Sequence, residues 1–132
     1  MNKFSDLNIP HLLLNSLTLN NFITPTEIQE KTIPLGVPGK EIIGSAQTGT
    51  GKTLAFLIPS KKNLLENKNH TAIVIEPTRE LAQQVLDVAI SICKQGLNIR
   101  STLLIGGESY TKQINQLKNN SRIIIGTPGR II

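Results

Sequence analysis

The chain has 132 residues, a formal net charge of +5 and a single cysteine. That length fits one small domain, and a lone cysteine excludes a disulfide framework. The positive balance favours an anionic partner; nucleotide, RNA and plain solubility are all compatible with it. The opening residues, Met1-Asn2-Lys3-Phe4-Ser5-Asp6, contain no apolar stretch of the signal-peptide kind. No apolar run approaches the ~20 residues of a bilayer span, so a cytoplasmic location is the expectation.

The predicted elements follow in chain order. A helix is expected over about Pro10 to Asn20, with Leu12, Leu13, Leu17 and Leu19 available for burial, and a second from Thr26 to just before Pro34. Glu41-Ile42-Ile43-Gly44 reads as a short buried strand entered through a Pro38-Gly39 turn. A helix then runs from Thr53 towards Asn67, with Pro59 expected to kink or weaken it. Thr71 to Glu76 is a strand, Thr78 to Lys94 a helix, and Ile99 to Ile105 a strand. Tyr110 to Leu117 is a helix with Ile114 and Leu117 at core spacing, and Arg122 to Ile125 is a last strand. Arg130-Ile131-Ile132 reads as the first turn of another helix. Cys93 shares a helical face with Leu81, Val85, Val88, Ala89 and Ile92, which makes it a small core residue rather than a nucleophile. His11 and His70 have no metal-ligand spacing to other donors and are solvated or structural.

Strands that alternate with helices and are nearly all apolar predict an α/β domain, with a mostly parallel sheet buried on both faces and flanked by helices. Ligands of such sheets bind at the carboxyl ends of the strands. The segments that follow the strands are therefore expected on one edge of the domain. They are Ala46 to Thr53, Pro77-Thr78-Arg79-Glu80, Gly106-Gly107 and Thr127-Pro128-Gly129-Arg130.

Ala46-Gln47-Thr48-Gly49-Thr50-Gly51-Lys52-Thr53 is the most informative of them. Glycine lacks Cβ, so the backbone at Gly49 and Gly51 can take positive φ and approach an anion closely. Successive N–H groups then form an anion-binding concavity, and a helix starting near Gly51 adds its positive end. Lys52 is placed to reach the β- and γ-phosphates of a nucleoside triphosphate, and the Thr53 hydroxyl to bind Mg²⁺. Upstream, Gln29 carries a donor and an acceptor on one amide. That pair would match the amine and ring nitrogen of adenine, and Phe22, seven residues earlier, offers a ring to stack. Alone, Gln29 reads as an exposed polar residue on a helix.

Taken together these segments resemble the DEAD-box family of ATP-dependent RNA helicases, over essentially the whole chain. Phe22-Ile23-Thr24-Pro25-Thr26-Glu27-Ile28-Gln29 is similar to that family's adenine-reading Q motif, with Phe4 at about the spacing of its upstream aromatic. Asn21 stands where the family usually has Gly, and Asn tolerates positive φ. Ala46 to Thr53 matches the phosphate loop, including its initial Ala. Pro77-Thr78-Arg79-Glu80-Leu81-Ala82, Gly106-Gly107 and Thr127-Pro128-Gly129-Arg130 match the next motifs in order.

The resemblance implies a partial RecA-like phosphate-loop domain, with a Q-motif region over 1–35 and a core over 36–132. It implies ATP and Mg²⁺ as ligands. It implies RNA as a partner, held through its backbone by Pro77, Thr78, Arg79, Glu80, Gly106, Gly107, Thr127, Pro128, Gly129 and Arg130. Contacts of that kind position a strand without reading its sequence. Glu80 reads as an orienting partner for an Arg. Only four aromatics are present, which disfavours a base-stacking platform.

The family's Asp-Glu-Ala-Asp and Ser-Ala-Thr motifs and its second RecA-like domain do not occur within these residues. No catalytic residue is therefore assigned in this chain. A missing catalytic base costs ~10²–10⁴ in rate, and a missing arginine finger ~10³–10⁵. The same absence predicts an open apolar sheet edge beside the phosphate-loop strand. The sequence leaves open a non-catalytic nucleotide- or RNA-binding module, a partner of a separately encoded remainder, and the product of a split or decaying helicase gene.

Overall fold

The computed structural model of the chain describes residues 3–36, 40–46, 51–92, 99–106, 110–118 and 121–131. Its centre is a three-stranded parallel sheet of β1 (Ala72–Ile75), β2 (Ser101–Leu104) and β3 (Ile123–Gly126), in the order β1-β3-β2. Ala72 and Ser101 both register on Ile123, and Ile75 and Leu104 on Gly126. Parallel neighbours need crossover helices. These are α4 (Arg79–Ser91) between β1 and β2, and α5 (Tyr110–Lys118) between β2 and β3. Three further helices precede the sheet: α1 (His11–Leu19), α2 (Glu27–Thr32) and α3 (Lys52–Glu66); α6 (Pro128–Ile131) follows it.

The core is aliphatic. Leu13 and Leu17 of α1, Leu57, Ile58 and Leu64 of α3, Ala82, Val85 and Ala89 of α4, and Ile123 and Ile125 of β3 pack together. Phe4 is buried with them, and its N–H donates to the Ile23 carbonyl at 3.1 Å. Side chains from neighbouring elements close the helix ends, where backbone carbonyls lack intrahelical donors. The Arg122 guanidinium donates to the Leu64, Asn67 and His70 carbonyls at 2.8–3.0 Å, closing α3. Buried Lys61 donates to the Ala89 carbonyl near the end of α4. Asn20 joins the ends of α1 and α4 by donating to the Ser16 and Ser91 carbonyls. His70 is structural, with its Nδ1 3.0 Å from Asn63 Oδ1. Cys93 and the Pro38-Gly39 turn lie outside the described residues.

Several expectations are corrected. Glu41 to Gly44 form no strand and are exposed, Ile43 completely so. A strand exists only through a ladder partner, and no described strand lies beside this segment. The sheet is not covered on both faces either. In β1, half-buried and exposed residues alternate, leaving Ile73 58% and Ile75 60% exposed. This is an uncovered face of β1; the open edge expected beside the phosphate-loop strand is not what it shows, because Glu41–Gly44 form no strand.

In α5 the expected core residues Ile114 and Leu117 are exposed, and the buried side chain is Gln113. In α1, Leu12 and Leu19 face outward, and in α4 so does Leu81. α3 continues through Pro59. Proline cannot supply the N–H that Ala55 would otherwise accept, and the Thr32 hydroxyl stands 3.5 Å from that carbonyl oxygen.

Candidate functional site

The parallel strands direct the segments after β1, β2 and β3 to one edge, as expected of such a sheet. A cleft of about 900 Å³ lies among α2, α3 and α4, lined among others by Gly51, Lys52, Thr53, Phe56 and Leu81, and it meets that edge at Glu76 after β1.

Gln47, Thr48, Gly49 and Thr50 lie outside the described residues, while Ala46 and the end of the loop are inside them. α3 begins at Lys52, one residue after Gly51, which adopts φ 84° and ψ 27°. That left-handed conformation is what glycine permits and a Cβ resists. Lys52 is exposed, Thr53 half-buried, and the first turn of α3 carries no acidic residue. Its N-terminal N–H groups and dipole therefore meet no competing carboxylate on that turn.

The adenine-side candidates divide. Phe22 is 37% exposed on the surface, where its ring is open to a stacking partner. Asn21 before it has φ 64°, the positive value that its amide side chain tolerates. Gln29 is only 3% exposed. Its Oε1 accepts the Thr26 N–H at 2.8 Å, and its Nε2 donates to the Gly51 carbonyl at 3.0 Å. One amide thus caps α2 and grips the phosphate-loop terminus. The motif behind this is Thr-x-x-Gln at a helix start, a signal carried by Thr26-Glu27-Ile28-Gln29 that adenine pairing alone overlooks. On the exposed face of α2, Lys31 lies 2.7 Å from Glu27. Through that hydrogen bond and its charge Lys31 holds the Glu27 carboxyl below the usual range, and Glu27 raises Lys31.

The nucleic-acid candidates converge. Thr78 caps α4, its hydroxyl accepting the Leu81 N–H at 3.2 Å. Pro77, Thr78, Arg79 and Glu80 are all exposed. The Arg79 guanidinium lies against Gly106, with Nη2 3.5 Å and Cζ 3.8 Å from where a Cβ would stand. Thr127 donates its N–H to the Leu104 carbonyl at 3.1 Å, tying the third segment to the second. α6 (Pro128–Ile131) starts two residues before the Arg130 turn that the sequence suggested, so Pro128, Gly129 and Arg130 are helical, with Pro128 and Gly129 exposed. Gly107 lies outside the described residues. Two residues that the sequence reading did not single out belong here. Gln113 donates from α5 to the Ile105 carbonyl at 3.0 Å, and half-buried Glu76 stands at the end of β1 in the cleft that Lys52 and Thr53 line.

The family model for "DEAD/DEAH box helicase" matches residues 26–132. The chain belongs to the DEAD/DEAH box helicase family. Among its relatives, the ATP-dependent RNA helicase CshA of Listeria monocytogenes is 43% identical over 133 residues, covering 100% of this chain and 25% of that protein. The ATP-dependent RNA helicase DRS1 of Lodderomyces elongisporus is 45% identical over 98% of this chain and 19% of its own length. The crystal structure of a DEAD box protein from Methanococcus jannaschii superposes with a TM-score of 0.89 at 42% identity, over 98% of this chain and 35% of that one. The chain thus spans about a quarter of the curated relatives' length. Its parallel sheet with flanking helices is the fold of this family's RecA-like domain. Among the described residues no helix is long and apolar enough to cross a membrane.

Proposed function

We propose that this chain forms the ATP-binding and part of the RNA-binding edge of the first RecA-like domain of a DEAD-box ATP-dependent RNA helicase. Residues 1–35 make the adenine side and residues 36–132 the phosphate-loop core. The observation that carries the proposal is the α3 N-terminus bearing Lys52, which shares a cleft with Glu76 at the end of β1; the ties of Arg79 to Gly106 and of Thr127 to Leu104 support the RNA side.

The roles follow from the chemistry of each group. Gly51 turns the chain so that N–H groups at the head of α3 meet phosphate oxygens, and Lys52 adds a full positive charge. Thr53 would supply a hydroxyl to Mg²⁺, which would neutralise phosphate charge when bound with ATP. Gln29 keeps one lone pair and one N–H beyond its two internal bonds. It therefore couples the base site to the loop, with Phe22 stacking above. On the RNA side, Thr78, Thr127 and the cationic Arg79 and Arg130 hold sugar–phosphate backbone without reading bases. Gly129 supports this assignment. A Cβ there would meet nothing within 4 Å, and its φ is not positive. The fold makes no demand for glycine at this position, whereas a closely approaching strand does. The roles assigned to these residues are binding roles.

The test is a titration of wild type and Lys52→Ala with labelled ATP and GTP. Wild type is expected to prefer ATP, and Lys52→Ala to lose at least about tenfold in affinity, the loss of one charge-assisted phosphate contact. Equal binding of the two nucleotides, or an unaffected variant, would overturn the proposal.

A further inference from the structure

We propose that Gln113 is a positioning residue for the RNA edge, holding the turn after β2 in the shape that presents the Gly106 backbone to a phosphodiester. This rests on the RNA reading of that edge. Gln113 sits on α5, a helix whose larger apolar residues Ile114 and Leu117 are 43% and 38% exposed, yet its own polar side chain is 4% exposed. A buried primary amide is costly unless it is hydrogen-bonded, so burying it in place of a neighbouring isoleucine or leucine needs a reason. The reason on view is the Ile105 carbonyl, to which Nε2 donates at 3.0 Å. A carbonyl is only an acceptor, so the amide nitrogen must face it.

Ile105 immediately precedes Gly106, and three independent ties meet at this turn. The Leu104 carbonyl accepts the Thr127 N–H, the Ile105 carbonyl accepts Gln113, and the Arg79 guanidinium lies along the Gly106 backbone. The first two fix consecutive peptide planes from opposite elements, β3's end and α5, and so set the direction of the Gly106 peptide. Without Gln113 the second plane is free to rotate, and a backbone donor aimed at a phosphate loses its aim. None of these three ties involves Gly51, Lys52 or Thr53, so the effect is expected on RNA and not on ATP.

The experiment compares the full chain with Gln113→Met, which keeps the volume and removes the donor, and with Gln113→Glu. Binding of a labelled single-stranded RNA and of labelled ATP is measured for each, with amide hydrogen exchange at Gly106. Gln113→Met is expected to weaken RNA binding about threefold to tenfold and to speed exchange at Gly106, while ATP affinity stays within about twofold. In Gln113→Glu a carboxylate faces a carbonyl at neutral pH, and protonation restores a donor. Its RNA deficit relative to wild type should therefore shrink as pH falls, whereas that of Gln113→Met should not. RNA binding and Gly106 exchange unchanged in Gln113→Met would overturn the proposal, as would a Gln113→Glu deficit independent of pH. Equal losses for ATP and RNA would make Gln113 a general packing residue and overturn it too. Absence of RNA binding by wild type would instead sink the underlying RNA reading. If Gln113→Met fails to fold, the pH series on Gln113→Glu decides alone.

Discussion

The two ends of the carboxyl edge use glycine for different reasons. At the nucleotide end, Gly51 answers to the chain itself: its φ is 84°, and a Cβ would collide with Gln29 Nε2 and crowd Thr26 Oγ1 at 3.0 Å. Gly126, at the end of the central strand, is likewise dictated internally, because a Cβ there would run into the Leu104 carbonyl. At the proposed RNA end the chain makes no such demand. Around Gly129 the space is open, and around Gly106 the nearest atom to a Cβ would be the flexible Arg79 guanidinium at 3.5 Å. Internal glycines should therefore fail as folding mutants, and edge glycines as binding mutants.

The largest stability effect is expected for Gly126→Ala. Its methyl would also stand 3.0 Å from Leu104 Cβ and 3.1 Å from Ile131 Cγ1, in the middle of the sheet. Overpacking of that kind costs about 1–3 kcal/mol, and chemical denaturation should register it with ATP and RNA binding falling together. Gly51→Ala comes next, at about 1–2 kcal/mol from the left-handed backbone alone. Displacing Gln29 adds to that, so ATP affinity should drop more than stability does. A Gly51→Ala protein with wild-type stability would remove the distinction between the two glycine classes.

Gly129→Ala is the sharpest comparison. Stability should change by no more than about 0.5 kcal/mol, or rise, since Ala is the better helix former in α6. RNA affinity should nevertheless fall severalfold. Retained RNA affinity would show that the edge glycines are incidental.

The smallest effect concerns pH. Glu27 is depressed by Lys31, so its contribution to α2 is present above the unfolded value and is lost as pH falls through the folded one. Lys31 is raised, so its contribution is present below the unfolded value and lost as pH rises through the folded one. The pair is exposed, and salt should flatten both limbs. Unfolding curves of Glu27→Gln at low and high ionic strength would reveal any larger role.

Most element positions were legible because their signals are local. Leu13 and Leu17 sit four apart on α1, Thr78 caps α4, and the apolar run 72–75 precedes a turn. The segment Glu41–Gly44 was misread because an apolar, β-prone stretch is necessary for a strand but a hydrogen-bonded neighbour is what makes one. α5 was misread for a related reason. Helical spacing favours Ile114 and Leu117 for burial, but the inward position went to Gln113, whose acceptor on Ile105 is invisible to periodicity. The segments after β1, β2 and β3 were legible as sharing an edge, because every parallel strand delivers its following loop to the same side; the phosphate loop follows no described strand, so that rule does not place it.

By itself the sequence determined the family, the alternation of helices and strands, and the identity of the groups suited to phosphate. Those depend on residue type and short-range order. Tertiary structure alone decided which side chains meet across elements. It set the Gln29 amide on Gly51, Arg79 along Gly106 and Gln113 beneath Ile105, and it left β1 with an open face. The physical reason is that a hydrogen bond or a covered strand needs two partners, and the fold supplies the second from a distant part of the chain.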